Sequence, residues 1–155
     1  MSKCKIQGRI FKDKSKEVIS NILMRNIAVK WLKQAAADLK ASRDSLEAGN
    51  YEWSCFQSQQ SGEKALKACL YEKGYTSVIT HSLKELLREC MKLNALFKEL
   101  SRDARTLDMF YIPTRYPDGL GGDLAPFEFY EREDAEKCIN SAESILNAVK
   151  TFLTN

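Results

Sequence analysis

The chain has 155 residues and a mass of 17.7 kDa, the size of a single domain. Hydrophobic residues make up 44% and charged residues 29%, which excludes wholesale disorder, and no apolar run reaches the ~18 residues that a membrane-spanning helix needs. The formal net charge is only +3, but Lys3, Lys5, Arg9, Lys12, Lys14 and Lys16 stand against Asp13 alone, so the positive charge belongs to an N-terminal arm.

Residues 1–25 are therefore expected to form a basic, partly ordered arm, with a weak strand pattern over Lys5–Phe11 and a short helix over 16–24. Such an arm touches phosphate by electrostatics alone, although a solvated terminus is the more ordinary reading. The opening MSKCKIQGRIFKDKSKE has no apolar h-region, so the chain reads as cytoplasmic. Cys4, Cys55, Cys69, Cys90 and Cys138 are scattered without a CxxC pair and read as reduced thiols, Cys69 and Cys138 serving as small hydrophobes on helix faces. With His81 the only histidine, no metal site is expected.

From Asn26 onward the periodicity is helical. Trp31, Ala35, Leu39, Ser42 and Leu46 recur at three- and four-residue spacing. Gly49 is placed to end that helix and Asn50 to cap the next. The second helix is predicted from Tyr51 to about Lys73, with Trp53, Phe56, Ala65, Leu66, Cys69 and Leu70 facing inward, and Gly74 closes it. Ser82 followed by Glu85 is a capping box that opens a short third helix. Asn94 then caps a fourth, which carries Leu96, Phe97, Leu100, Ala104, Leu107 and Phe110. The last runs from about Glu131 to Phe152, with Ala135, Cys138, Ile139, Ala142, Ile145, Leu146 and Val149 in one stripe and acidic residues at its positive end.

Residues 112–129 break this pattern. They hold Pro113, Pro117 and Pro126 together with Gly119, Gly121 and Gly122, so no helix is expected there. Such a stretch exceeds the ~12–15 residues beyond which connections are uncommon and often functional. Aromatics crowd it, among them Phe110, Tyr111, Tyr116, Phe127, Phe129 and Tyr130.

Four features bear on chemistry. Gly119-Leu120-Gly121-Gly122-Asp123 has no preceding strand and no phosphate-loop spacing, and reads as a flexible tip. The imidazole of His81 is a side chain suited to general-base work, but its place just before an N-cap favours a structural role. In Thr114-Arg115-Tyr116-Pro117-Asp118, the Arg115 guanidinium can hold a phosphate bidentately while Tyr111 or Tyr116 stacks on a base. Equally, Arg115 can pair with Asp118 or helix-end carbonyls and lock the loop. Lys64 and Lys67 read as a solvated edge, of interest only if the proline loop folds over them.

The blocks WLKQAAADLKASRDSLEAGNYEWSCFQSQQSGEKALKACLYEKG, HSLKEL and LDMFYIPTRYPDG, followed by an acidic start to the last helix, resemble the HEPN domain (higher eukaryotes and prokaryotes nucleotide-binding) over about residues 26–153. EKALKA and YIPTRYPD are the most specific segments. The resemblance implies an all-α antiparallel up-and-down bundle of about five helices, here residues 26–155, with the Pro/Gly loop before the last one, and usually a homodimer. Many HEPN proteins are ribonucleases, often toxins, whose motif is an arginine and a histidine separated by four to six residues. Here Gly74, Tyr75 and Thr76 occupy those positions upstream of His81, so the catalytic carry-over fails and the sequence leans against an enzyme.

The YIPTRYPD loop is similar to that of the other branch, which includes partners of minimal nucleotidyltransferases and the C-terminal domain of sacsin. That implies a non-catalytic nucleotide-binding module, with Arg115 and Tyr116 matching the branch's motif. Together with the reading of the loop and of the second helix, it places the expected ATP or GTP near Arg115, Tyr116, Tyr111 and Lys64, with no required cofactor. The alternatives are an antitoxin-type partner of a separately encoded nucleotidyltransferase and, ranked last, an RNA-cleaving toxin.

Overall fold

The computed structural model describes residues 6–8 and 13–154, with the side chains described from residue 13. The rest of the basic arm, including Lys3, Lys5, Arg9, Lys12 and Cys4, lies outside the described residues. Helix α1 (Lys14–Glu47) starts at Asp13, whose carboxylate accepts from the Ser15 amide at 3.0 Å and the Ser15 hydroxyl at 2.7 Å. These bonds hold the Asp13 carboxyl below its ordinary value. Neither proline nor glycine occurs between Lys14 and Glu47, so the helix crosses residue 25 without a break. The separate helix expected over 16–24 is thereby replaced by the first turns of α1, which already bury Ser20 and Met24.

Gly49, at φ +78°, reverses the chain into α2 (Tyr51–Glu72). Asn50 takes the N-cap position, but its side chain makes no capping bond. The two helices run antiparallel along a seam of serines. Ser42 Oγ lies 3.1 Å from Ser54 Oγ and 2.7 Å from Ser58 Oγ, and the Ser61 hydroxyl donates to the Ala35 carbonyl at 2.8 Å. Small side chains permit this close approach, and each hydroxyl finds a partner. Trp53 does not face inward; it is 48% exposed. The buried arc there is taken by Ser54, Cys55 and Ser58, which leaves Trp53 edge-on to Phe56 at 6.0 Å.

Strand β2 (Tyr75–Val78) pairs antiparallel with β1 (Ile6–Gly8), Ile6 opposite Val78 and Gln7 opposite Ser77. It carries the chain back along α2, so that α3 (Leu83–Leu93) begins beside Gly62. A β-carbon at Gly62 would fall 2.8 Å from both Leu83 Cδ2 and Leu107 Cδ1, which explains a glycine at this crossing. The expected fourth helix is split into a 3-10 segment, Ala95–Leu100, and α4 (Ser101–Asp108). At three residues per turn, Phe97 and Leu100 align inward and Leu96 is left 76% exposed, contrary to expectation.

The proline-rich stretch is not wholly irregular. It contains a 3-10 turn, Pro117–Gly119, and a one-turn helix α5 (Pro126–Phe129). Pro126 opens that turn, where a missing N–H costs nothing. Helix α6 (Arg132–Thr154) buries its whole expected stripe. The chain is thus an all-α bundle around α2, with Leu66, Leu70, Leu83, Leu86, Leu107 and Ile145 fully buried. None of its described helices is long and apolar enough to cross a membrane.

Cys55, Cys69, Cys90 and Cys138 are buried free thiols. Hydrogen bonding with Cys69, then burial, pushes the Cys90 thiol up; hydrogen bonding with Cys55, then burial, does the same to Cys138. Burial also pushes the Tyr130 phenol up to about 12. Because the folded phenol keeps its proton to higher pH than the unfolded one, stability is retained below pH ~10 and lost as pH rises from ~10 to ~12. Urea unfolding at pH 9 and pH 11.5 should show this loss, and Tyr130→Phe should reduce it.

Candidate functional site

The site lies where α2, the start of α3 and the proline loop meet. Its base is polar. Glu63 and Lys67 are one turn apart on α2 and almost fully buried, with Lys67 Nζ 2.8 Å from Glu63 Oε1. The Gln59 and Gln60 amides reach Glu63 Oε2 at 3.3 and 3.5 Å, and the Gln59 amide also donates to the His81 carbonyl at 3.3 Å. Lys67 Nζ sits 5.4 Å from the centre of the Trp31 ring. A carboxylate so deeply buried is tolerable only because a cation and two amides surround it.

His81 stands above this network. Its Nδ1 is 3.1 Å from Glu63 Oε1, while the imidazole remains 56% exposed. Glu63 orients the ring through Nδ1, so Nε2 is the nitrogen left to the surroundings. The ring stacks on Tyr111, centres 5.2 Å apart and planes 16° from parallel.

Arg115 packs on the same tyrosine. Its Cζ lies 4.6 Å from the Tyr111 ring centre, 4.4 Å from that of Phe56 and 5.0 Å from that of Tyr116. Arg115 Nε donates to the Tyr111 carbonyl at 2.8 Å. Three rings and one hydrogen bond thus fix the guanidinium plane, and no salt bridge joins it to a described residue. Beside the stack is an open cleft of about 480 Å³, bordered by Ile79, Thr80, His81, Ser82, Asp108 and Tyr111.

Helix α3 is anchored at this cleft by Asp108, the last residue of α4. Its carboxylate accepts from the amides of Leu83 at 2.6 Å and Lys84 at 3.1 Å and from the Ser82 hydroxyl at 3.0 Å. Ser82 Oγ itself caps the Glu85 amide at 3.4 Å. Glu85 accepts from the Thr80 hydroxyl, whose oxygen accepts from the Ser82 amide at 3.2 Å, so the capping box works through Thr80. Asp108→Ala removes three bonds to a charged acceptor and should cost about 1.5–3 kcal/mol. Faster hydrogen exchange at the Leu83 and Lys84 amides would locate the loss.

Of the expected site residues, Arg115, Tyr116 and Tyr111 come together and Lys64 does not join them. The Lys64 ammonium is engaged by Asp38 of α1. Lys67, read from sequence as part of a solvated edge, is buried against Glu63 instead. Glu63, Gln59 and Phe56 were not singled out by sequence. Phe56 reads from sequence only as an inward-facing core residue, and the only signal for Gln59 and Glu63 is polarity at positions of α2 that the helical period turns inward. Arg115 meets the Tyr111 carbonyl rather than Asp118. Among the described residues no cluster of His, Cys, Asp and Glu could hold a metal ion.

Comparison with known proteins bears on this geometry. The HEPN domain family model matches residues 28–152. The chain is 34% identical over 131 residues to "Putative toxin MJ1304" of Methanocaldococcus jannaschii, covering 79% of this chain and 86% of that protein. It is 27% identical over 129 residues to human sacsin, covering 81% of this chain but 3% of sacsin. Among solved structures, TT1696 from Thermus thermophilus superposes with a TM-score of 0.75 at 35% identity, covering 80% of this chain and 96% of that one.

Proposed function

Because the chain belongs to the HEPN domain family, we propose that it is a non-catalytic nucleotide-binding module that works as a homodimer. One observation carries the reading: the Arg115 guanidinium is held among the rings of Tyr111, Phe56 and Tyr116 and by the Tyr111 carbonyl, yet is matched to no carboxylate of a described residue. A pre-oriented planar fork is what bidentate phosphate recognition requires. The open cleft next to Tyr111 offers an aromatic wall for a base. Calorimetric titration with ATP and with GTP tests the reading: saturable binding to wild type and its loss in Arg115→Ala are expected. Light scattering should give the mass of two chains.

A second reading is favoured by a different contact. His81, oriented by Glu63, and Arg115 both pack on Tyr111, which supplies an acid–base group near a phosphate-binding cation although the two are far apart in sequence. The relative named as a toxin is in keeping with an RNA-cleaving enzyme. Incubating the protein with RNA decides the matter. Cleavage that disappears in His81→Ala establishes the enzyme; background cleavage leaves the binding module.

A further inference from the structure

The hairpin of α3 and α4 carries a second cleft that shares no bordering residue with the His81–Tyr111 site. The two helices run antiparallel, since Leu83 meets Asp108 at one end and Met91 lies across from Ser101 at the other. The cleft holds about 370 Å³. Lys84, Arg88 and Arg105 surround it, all three exposed, and no acidic side chain borders it. None of the three forms a salt bridge with a described residue. The acids beside them are committed elsewhere: Glu89 to Lys92 at 2.7 Å, and Glu85 to Thr80. Arg105 Nε donates to the Ser101 carbonyl at 3.3 Å, which steadies the guanidinium. Arg88 also adds its repulsion to Lys92, one turn further along α3.

The floor of the cleft is apolar. Leu87 and Ala104 are buried beneath it and Met91 is half-buried at its side. Like charges gathered over apolar surface disfavour the free state unless an anion answers them, and here nothing in the described chain does. A phosphodiester strand would satisfy the cations but leave the floor unfilled. A segment carrying both carboxylates and aliphatic side chains satisfies both. The stretch from Lys84 to Met91 is about 10 Å long, two turns of helix.

We propose that this cleft docks an acidic amphipathic helix of a partner protein, its carboxylates facing Lys84, Arg88 and Arg105 and its aliphatic side chains lying on Leu87 and Met91. The inference is independent of the nucleotide reading, because it rests on different residues.

The test uses the whole chain and three fluorescein-labelled probes, compared by anisotropy at 150 mM salt. These are a 14-residue Leu/Glu peptide patterned as an amphipathic helix, the same residues scrambled, and a 14-nucleotide oligouridylate. The patterned peptide should bind at least tenfold tighter than either of the others. Arg88→Glu should weaken it about tenfold, and the combined Lys84→Glu, Arg88→Glu, Arg105→Glu variant should abolish binding. Met91→Gln should weaken the patterned peptide and leave the scrambled one unchanged. Lys84, Arg88 and Arg105 are exposed and Met91 is half-buried, and circular dichroism of each variant is the check that it is folded. Absence of binding to wild type, equal binding of the scrambled peptide, tighter binding of the oligonucleotide, or an unaffected triple variant would each overturn the proposal.

Discussion

Glu63→Ala should lower the unfolding free energy by about 3–5 kcal/mol, the usual cost of stranding one member of a buried ion pair. The Lys67 ammonium, 5% exposed, would lose the carboxylate it is paired with. The amides of Gln59 and Gln60 would each lose one of two acceptors as well, keeping the His81 carbonyl and the Gln59 side-chain oxygen respectively. Glu63→Gln should be milder, since an amide oxygen still accepts hydrogen bonds. The informative comparison is the double replacement Glu63→Leu with Lys67→Met, which removes both charges and keeps the volume. It should recover most of the loss, because a well-packed apolar pair avoids the desolvation penalty. Urea midpoints for the three variants check this. A double variant as unstable as Glu63→Ala would mean that the serines and glutamines around the pair, and not the charge, set the cost.

Arg115→Ala should weaken nucleotide binding ten- to hundredfold, corresponding to about 1.5–3 kcal/mol for hydrogen bonds to a charged group. Arg115→Lys should recover only part of this, because an ammonium keeps the charge but loses the planar fork. The structure adds a second effect. The guanidinium also bridges Phe56, Tyr111 and Tyr116 and satisfies the Tyr111 carbonyl, so its removal should lower the melting temperature too. Affinity must therefore be measured per folded molecule, by calorimetry at a temperature well below the transition. Unchanged affinity under those conditions would remove Arg115 from the site and leave it as a clamp of the loop.

The helices were legible wherever local chemistry alone decided them. Ser82 and Asn94 cap the segments they were expected to cap, and the Ala135–Val149 stripe is buried throughout. Sequence misjudged positions where the outcome depended on a neighbour or a change of helical pitch. Trp53 is displaced by serines facing α1, and Leu96 is turned outward by a 3-10 segment. For the site, Arg115 and its tyrosines could be found because they sit in one short loop. Glu63 and His81 are 18 residues apart and Glu63 and Lys67 look like an ordinary exposed helix pair. Only the return of the chain along β2 brings His81 over Glu63, and no periodicity announces that.

The serine seam between α1 and α2 makes their alignment all-or-none. An interface of leucines tolerates sliding, because one apolar contact substitutes for another at small loss. Here a slip of one residue would rotate Ser42, Ser54, Ser58 and Ser61 away from their partners and strand several hydroxyls in a dry interface, at about 1–3 kcal/mol each. The penalty for a misaligned hairpin thus approaches the roughly 5–15 kcal/mol by which a whole domain is stable. Since Phe56, Gln59 and Glu63 ride on α2, the same hydroxyls decide at what height the polar network meets the proline loop, well outside the apolar core.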